Sequence, residues 1–321
     1  MTANSSASLA KSASEIGQSE SSIAIRRILA WLVDKVGVLL ILGFMILPIF
    51  WVTLTAFKPL NTVYSTELLI IPTLNNFRVI FGPAQPIQLE DEYYGASDGF
   101  GQYSREDTIG KDMGRLLVNS LIISSVTVLV ALPLATMAAY VFSRYRFVGD
   151  NALMLWVLAT QFIPAIIVVI PFFTLYRQIG LLGTHIGVVI VNLSIVLPYA
   201  IWMIKGFVDA LPTEIEEAAV VDGCNEIQVL LKITAPLIAP GVIVSAVFSF
   251  IMSWNEFLFA LTLGRDAVRT LQIGLTTTEG VRGVQWEQMS AVGVVVLVPI
   301  FLLSLFIRKN FVKGLTMGAV K

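Results

Sequence analysis

Six stretches of the chain run without a charged side chain: 36–57, 116–143, 151–176, 186–204, 233–255 and 288–307. The shortest holds 19 residues, counted from its end points. With a rise of about 1.5 Å per residue, roughly 20 helical residues cross a hydrocarbon core of about 30 Å. Within that core each backbone N–H and C=O needs a partner inside the segment, which a helix supplies. The runs are too long and too evenly apolar for barrel strands. They predict an all-α polytopic membrane protein with six transmembrane helices. Composition points the same way. Charged residues make up 13% and mean hydropathy is +0.81, whereas a soluble domain carries about 25% charged residues. So few charges cannot cover a water-facing surface.

Several classes of function drop out. A net charge of −1 offers no basic field for nucleic acid. Cys224 is the single cysteine and His185 the single histidine, so no internal disulfide and no His-rich metal centre is expected. The chain has no G-x-x-x-x-G-K-[ST] loop: Gly110-Lys111 lacks both the earlier Gly and the following Ser or Thr. Nucleotide is therefore not expected on this chain by that device. No HExxH and no paired Asp within the runs suggests an intramembrane enzyme.

Residues 1–30 are expected to form a disordered cytoplasmic tail, being rich in Ser and Ala at their start. Residues 31–321 form the six-helix domain, with a long extracytoplasmic loop at 58–115 and a cytoplasmic loop at 207–236. If both termini are cytoplasmic, 12 of the 21 Lys and Arg lie inside, among them Arg26, Arg27, Arg308 and Lys309. The middle of loop 58–115 is acidic, with Glu90, Asp91, Glu92, Asp98, Glu106 and Asp107 beside Tyr93, Tyr94, Phe100 and Tyr103. Two readings stand for it: a solvated excursion, or a contact for an external partner. The fifth run is expected to continue as a helix to about Leu263, placing Glu256 inside the membrane or at its outer edge.

The polar segment between the fourth and fifth runs is the most informative. Its pattern gives two short helices. Pro212 fixes the entry to the first, and Thr213 with Glu216 fits a capping box. Glu214, Glu216 and Glu217 sit in a first turn, where the helix dipole favours negative charge. Gly223 is placed to end that helix in the left-handed region, Asn225 with Gln228 to cap the next, and Pro236 to break away from it. From Lys205 to Lys232 there are two positive and six negative charges. An acidic face repels an anionic inner leaflet, so a cytoplasmic protein partner accounts for it better than the membrane surface does.

Glu217-Ala218-Ala219, Asp222-Gly223, Ile233 and Pro236 resemble the EAA loop of bacterial ABC importer permeases. Cys224 stands where Ala is usual and Ala235 where Leu is usual. Further motifs are similar to the maltose-type carbohydrate permease family: Ala56-Phe57-Lys58-Pro59, Asn119-Ser120, Gln161-Phe162-Ile163-Pro164, Ser253-Trp254-Asn255-Glu256-Phe257 and the tail Phe311 to Lys321. The resemblance covers roughly residues 30–321, and the acidic insertion at about 84–112 falls outside it.

The resemblance implies a type I ABC importer permease in a bacterial inner membrane, forming half of a translocation pathway for a sugar or polyol. It implies a dimer of ATPase subunits that bind ATP and Mg, a second homologous permease and an extracytoplasmic solute-binding protein, with no cofactor on this chain. Closure of the ATPase dimer would drive the coupling helices together and switch the cavity from inward-facing to outward-facing. Glu217, Ala218, Ala219, Asp222, Gly223, Cys224, Asn225, Ile233 and Pro236 would carry that coupling. Asn119, Gln161, Trp254, Asn255 and Glu256 are the candidates for the pathway. Glu256 has two readings, a cavity group or a solvated interfacial group with Trp254 as a belt anchor. Interhelical hydrogen bonding competes for Asn119 and Gln161. The alternative function is an ion-gradient-driven secondary transporter or channel, which calls for relay charges in several spans; only Glu256 qualifies.

Overall fold

The computed structural model describes residues 31, 35–82, 85–86, 108–109, 113–276, 279–280 and 283–319, with side-chain surroundings over 31, 35–82, 113–276 and 284–307. The tail at 1–30 and most of the acidic insertion lie outside the described residues. The chain divides into two units at Leu54/Thr55.

In the first unit, helix α1 (Lys35–Ala56, its last two residues in the second unit) is the first candidate span. Its side chains from Leu39 to Ile49 are largely exposed in the isolated chain, as suits a helix that faces lipid or a partner subunit.

The second unit is built on α3 (Met113–Arg144), α6 (His185–Asp209), α9 (Ala235–Trp254) and α12 (Trp286–Ala319). Helix α3 packs along α6, and α9 lies against both. Small residues make the contact possible. Ala135 and Ala139 of α3 and Ala200 of α6 are buried together with Ile204, Val208 and Ile238. Where hydrocarbon surrounds the helices, close van der Waals contact holds them together, and small side chains permit it. Gly241 of α9 shows how near the backbones come: a Cβ there would lie 2.2 Å from the Phe207 ring.

Among the described residues five helices are long and apolar enough to cross a membrane, and a sixth crossing exists if one bent pair is a single span. The pair covers the third run. Helix α4 (Asp150–Ala159) passes through a 3-10 turn at Thr160–Phe162, and the chain then turns by 94° into α5 (Ala165–Gln178). Pro164 is the cause. It disfavours helical torsion at the residue before it, and Ile163 is extended at φ −76°, ψ 119°.

The fifth run corrects the expected continuation to Leu263. Helix α9 stops at Trp254, and a separate short helix, α10 (Leu258–Leu263), follows. Asn255 closes α9, and the Glu256 carboxylate accepts from Phe259 N (2.7 Å) and Ala260 N (2.9 Å) at the start of α10. Two amides that would otherwise be orphaned at a helix start are thereby satisfied.

At the opposite end of α3 from Arg144, a short helix α2 (Asn75–Phe81) and α11 (Leu271–Thr276) complete a core with Ala56, Ile80, Met113, Leu116, Trp254, Ala291 and Val292. Asn76 donates to Ala56 O and Lys58 O, both at 2.9 Å, and Thr73 N donates to Phe57 O, folding the segment after α1 back on itself. The ends of the insertion are joined. Strand β1 (Gln85–Pro86) pairs antiparallel with β2 (Thr108–Ile109), Gln85 opposite Ile109. A second two-residue ladder pairs β3 (Glu279–Gly280) with β4 (Gly283–Val284).

Candidate coupling site

The polar loop folds into two helices as its sequence predicts. Helix α7 covers Thr213–Val221 and α8 covers Glu226–Gln228. Gly223 between them has φ +89°, the left-handed region. The second capping box is complete: Asn225 Oδ1 accepts from Gln228 N (2.9 Å), and Gln228 Oε1 accepts from Asn225 N (3.0 Å).

Two local expectations are corrected. Thr213 and Glu216 form no capping box; Pro212 occupies the cap position without a side-chain bond. Glu216 turns inward instead. Its carboxylate accepts from Arg144 Nε at 2.6 Å and from Thr234 Oγ1 at 2.7 Å. Pro236 does not break the second helix either. From α8 the chain passes through a π-helical segment at Val229–Thr234 directly into α9, so one helical path runs from Glu226 to Trp254. The wider turn accommodates a proline that has no amide to donate, placed at the start of α9.

Arg144 organises the site. Besides Glu216, its guanidinium donates to Val208 O (3.0 Å), which also accepts from Leu211 N in the last turn of α6, and to Leu211 O (3.1 Å) just beyond that helix. Next to it, Ser143 donates to Asp209 at 2.5 Å, and Lys205 pairs with Asp209 at 2.7 Å. Just past the end of α3, burial and then the Glu226 carboxylate push the pKa of the Tyr145 hydroxyl up to about 12. The ends of α3 and α6, helix α7 and the π-helical segment thus form one hydrogen-bonded block.

Above that block α7 presents a distinct outer face. Ala219 is buried beneath it, while Glu217, Ala218, Val220, Asp222 and Gly223 are exposed, and Val221 is 87% exposed. Asn225 is exposed; Cys224 and Ile233 are half-buried; Pro236 is exposed at the foot of α9. The residues of the EAA pattern therefore split. Most face outward, and Ala219 packs inward. Sequence reasoning missed Arg144, Glu216 and Thr234 as a unit. The available signal was an arginine closing an uncharged run, with an acidic residue one position before the EAA pattern.

The pathway candidates do not meet at one place. Asn119 donates to Arg269 O (2.9 Å), and its Oδ1 lies 3.0 Å from His185 Nε2. Gln161 is half-buried and reaches Thr160 and Ser194 O at 3.3 and 3.5 Å. Trp254 is 1% exposed and stacks on Phe250, with centroids 5.6 Å apart. Asn255 is exposed, and Glu256 caps α10. Asn192 of α6 joins α9 by donating to Ser253 at 2.9 Å.

Residues 131–317 match the family model described as "Binding-protein-dependent transport system inner membrane component". The trehalose transport system permease protein SugB of Mycobacterium tuberculosis is 31% identical over 88% of this chain and 94% of its own length. The diacetylchitobiose uptake system permease protein DasC of Streptomyces coelicolor is 29% identical over 89% of this chain and 95% of its own. Among solved structures, a bacterial ABC transporter involved in the import of the acidic polysaccharide alginate shares the fold. The TM-score is 0.65 at 19% identity, over 89% of this chain and 97% of that one. With six apolar runs, a polar loop that resembles the EAA pattern seated on the ends of two spans, and these relatives, the chain belongs to the binding-protein-dependent transport system inner membrane components and is a non-catalytic permease subunit of an ATP-driven importer.

Proposed function

We propose that this subunit forms half of a translocation pathway for a carbohydrate or polyol and takes its drive from a separate ATPase dimer through α7. The observation that carries the coupling role is the outward face of α7, apolar at Val220 and Val221 and acidic at Glu217 and Asp222, set on a buried Arg144–Glu216 pair. Glu217, Ala218, Asp222, Gly223, Cys224 and Asn225 form the docking contour; Ala219, Ile233 and Pro236 set its position. A force applied to α7 reaches α3, α6 and α9 through the hydrogen-bonded block without an intervening flexible linker.

The carbohydrate class rests on relatives named for diacetylchitobiose, trehalose and trehalose/maltose transport. ATP and Mg belong to the ATPase subunits, a second permease completes the pathway, and an extracytoplasmic protein delivers the solute. Both termini lie on the cytoplasmic side with α7. Residues 31–321 act as the permease domain. Of the pathway candidates, Asn255 and Gln161 keep polar groups open to solute, while Asn119, Trp254 and Glu256 hold the frame.

Purification from native membranes in mild detergent tests the whole reading. An ATPase, a second permease and a binding protein should co-purify, and Glu217→Lys should remove the ATPase alone. Solute uptake should need ATP and resist protonophores. Recovery of the chain by itself, with uptake collapsed by protonophores, would transfer the function to an ion-driven transporter.

A further inference from the structure

A pocket of about 160 Å³ opens between the segment after α1 and the first turn of α12. Its floor is Glu287, Gln288 and Asn76, all buried, and Glu287 is only 5% exposed. Leu60 and Val79 form apolar walls, and exposed Asn75 stands at the mouth. The floor is rich in acceptors. The Asn76 amide nitrogen is spent on Ala56 O and Lys58 O. Among the described residues no cation pairs with Glu287; the ion pairs formed are Arg144–Glu216, Arg146–Asp150, Lys205–Asp209 and Arg269–Asp266. A carboxyl group this deep is accommodated by a proton or by a positive partner, and a seated cation is the one that can hold it ionised.

The pocket also has a defined side. Helix α3 starts beside it, with Met113 packed in the same core as Ile80, and runs for 32 residues to Arg144 under the coupling helix. That length is about 48 Å, more than a bilayer core. The pocket therefore faces the compartment opposite the ATPase.

We propose that this pocket receives a lysine or arginine side chain of the extracytoplasmic binding protein, its charge on Glu287 and its aliphatic stem between Leu60 and Val79. The proposal rests on the importer reading above. A long cationic side chain fits better than a bare metal ion, because the walls are apolar and the space exceeds one coordination sphere. A seated cation would lock the orientation of the docked protein, as desolvated charge pairs do at interfaces.

The test uses the complete transporter in proteoliposomes with its co-purified binding protein, reading ATP hydrolysis against binding-protein concentration. Glu287→Gln should raise the half-saturating concentration tenfold or more, and wild type alone should show a steep salt dependence of that value. Leu60→Trp, which fills the mouth and leaves the carboxylate in place, should do the same. If Glu287→Gln fails to assemble with the ATPase, Leu60→Trp decides. An unchanged half-saturating concentration in the assembled variants, with wild type still stimulated, overturns the pocket and leaves the importer reading standing. A wild-type complex that no binding protein stimulates overturns that reading instead.

Discussion

Arg144 and Glu216, 72 positions apart, meet at 2.6 Å with side chains only 11% and 10% exposed. Removing one partner of such a pair strands a buried charge, at a cost of about 3–5 kcal/mol. Arg144→Met and Glu216→Leu should each loosen α7 and reduce recovery of the ATPase, while the protein still inserts. The double variant should recover much of the loss, because no charge is left unpaired. Hydrogen exchange across 213–234 in the two single variants and the double variant checks this; a double-variant effect equal to the sum of the two single effects would mean the pair is not coupled.

Glu217 is the adjacent residue and behaves oppositely. It is exposed and has no structural partner among the described residues. Glu217→Lys should leave thermal stability in detergent within about 0.5 kcal/mol, as surface changes do, yet abolish uptake. A variant that transports normally would remove Glu217 from the docking contour.

Gly223 holds φ +89°. An L-residue there costs about 1–2 kcal/mol, and its open surroundings mean the penalty is conformational and not steric. Gly223→Ala should reduce ATP-coupled transport moderately, and Gly223→Pro, whose φ is fixed near −65°, should eliminate it. Equal activity in the two variants would contradict the assigned backbone geometry.

A Cβ added at Gly241 of α9 would meet the Phe207 ring of α6 at 2.2 Å. Gly241→Ala should destabilise the bundle by about 1–3 kcal/mol, the usual cost of overpacking. Phe207→Leu in the same chain should restore most of it. Thermal unfolding in detergent reads both, and a Gly241→Ala protein as stable as wild type would show that the helices part without penalty.

Glu256 caps α10 through two amides. Glu256→Ala should cost about 1 kcal/mol and Glu256→Gln less, since one acceptor remains. If uptake falls far more than stability in the Gln variant, the residue acts on solute as well as on the helix start.

The sequence reveals the spans because each is set by a local quantity, the length of chain free of charge. The runs at 36–57 and 288–307 lie within a residue or two of the helices Lys35–Ala56 and Trp286–Ile307. The Asn225/Gln228 box was equally legible, both partners lying within one turn. What stayed hidden depends on groups far apart in sequence or on competition for one group. Thr213–Glu216 fits a box, yet Arg144 and Thr234 take the carboxylate, and no local pattern weighs those offers. Apolar content continues past Trp254, so the break there shows only once Glu256 is seen to supply a new helix start. Pro164 was visible, but whether a span proline bends a helix or turns it by 94° depends on its neighbours.

The π-helical stretch at Val229–Thr234 amounts to one surplus residue wound into an otherwise α-helical path. Each residue advances an α-helix by about 100°. The wider turn absorbs that residue: with one residue fewer the same path closes to an α-helix and Thr234 keeps its bearing on Glu216, whereas an added residue finds no further turn to widen and swings the hydroxyl away. The stretch between Val229 and Thr234 should therefore tolerate a single deletion better than a single insertion.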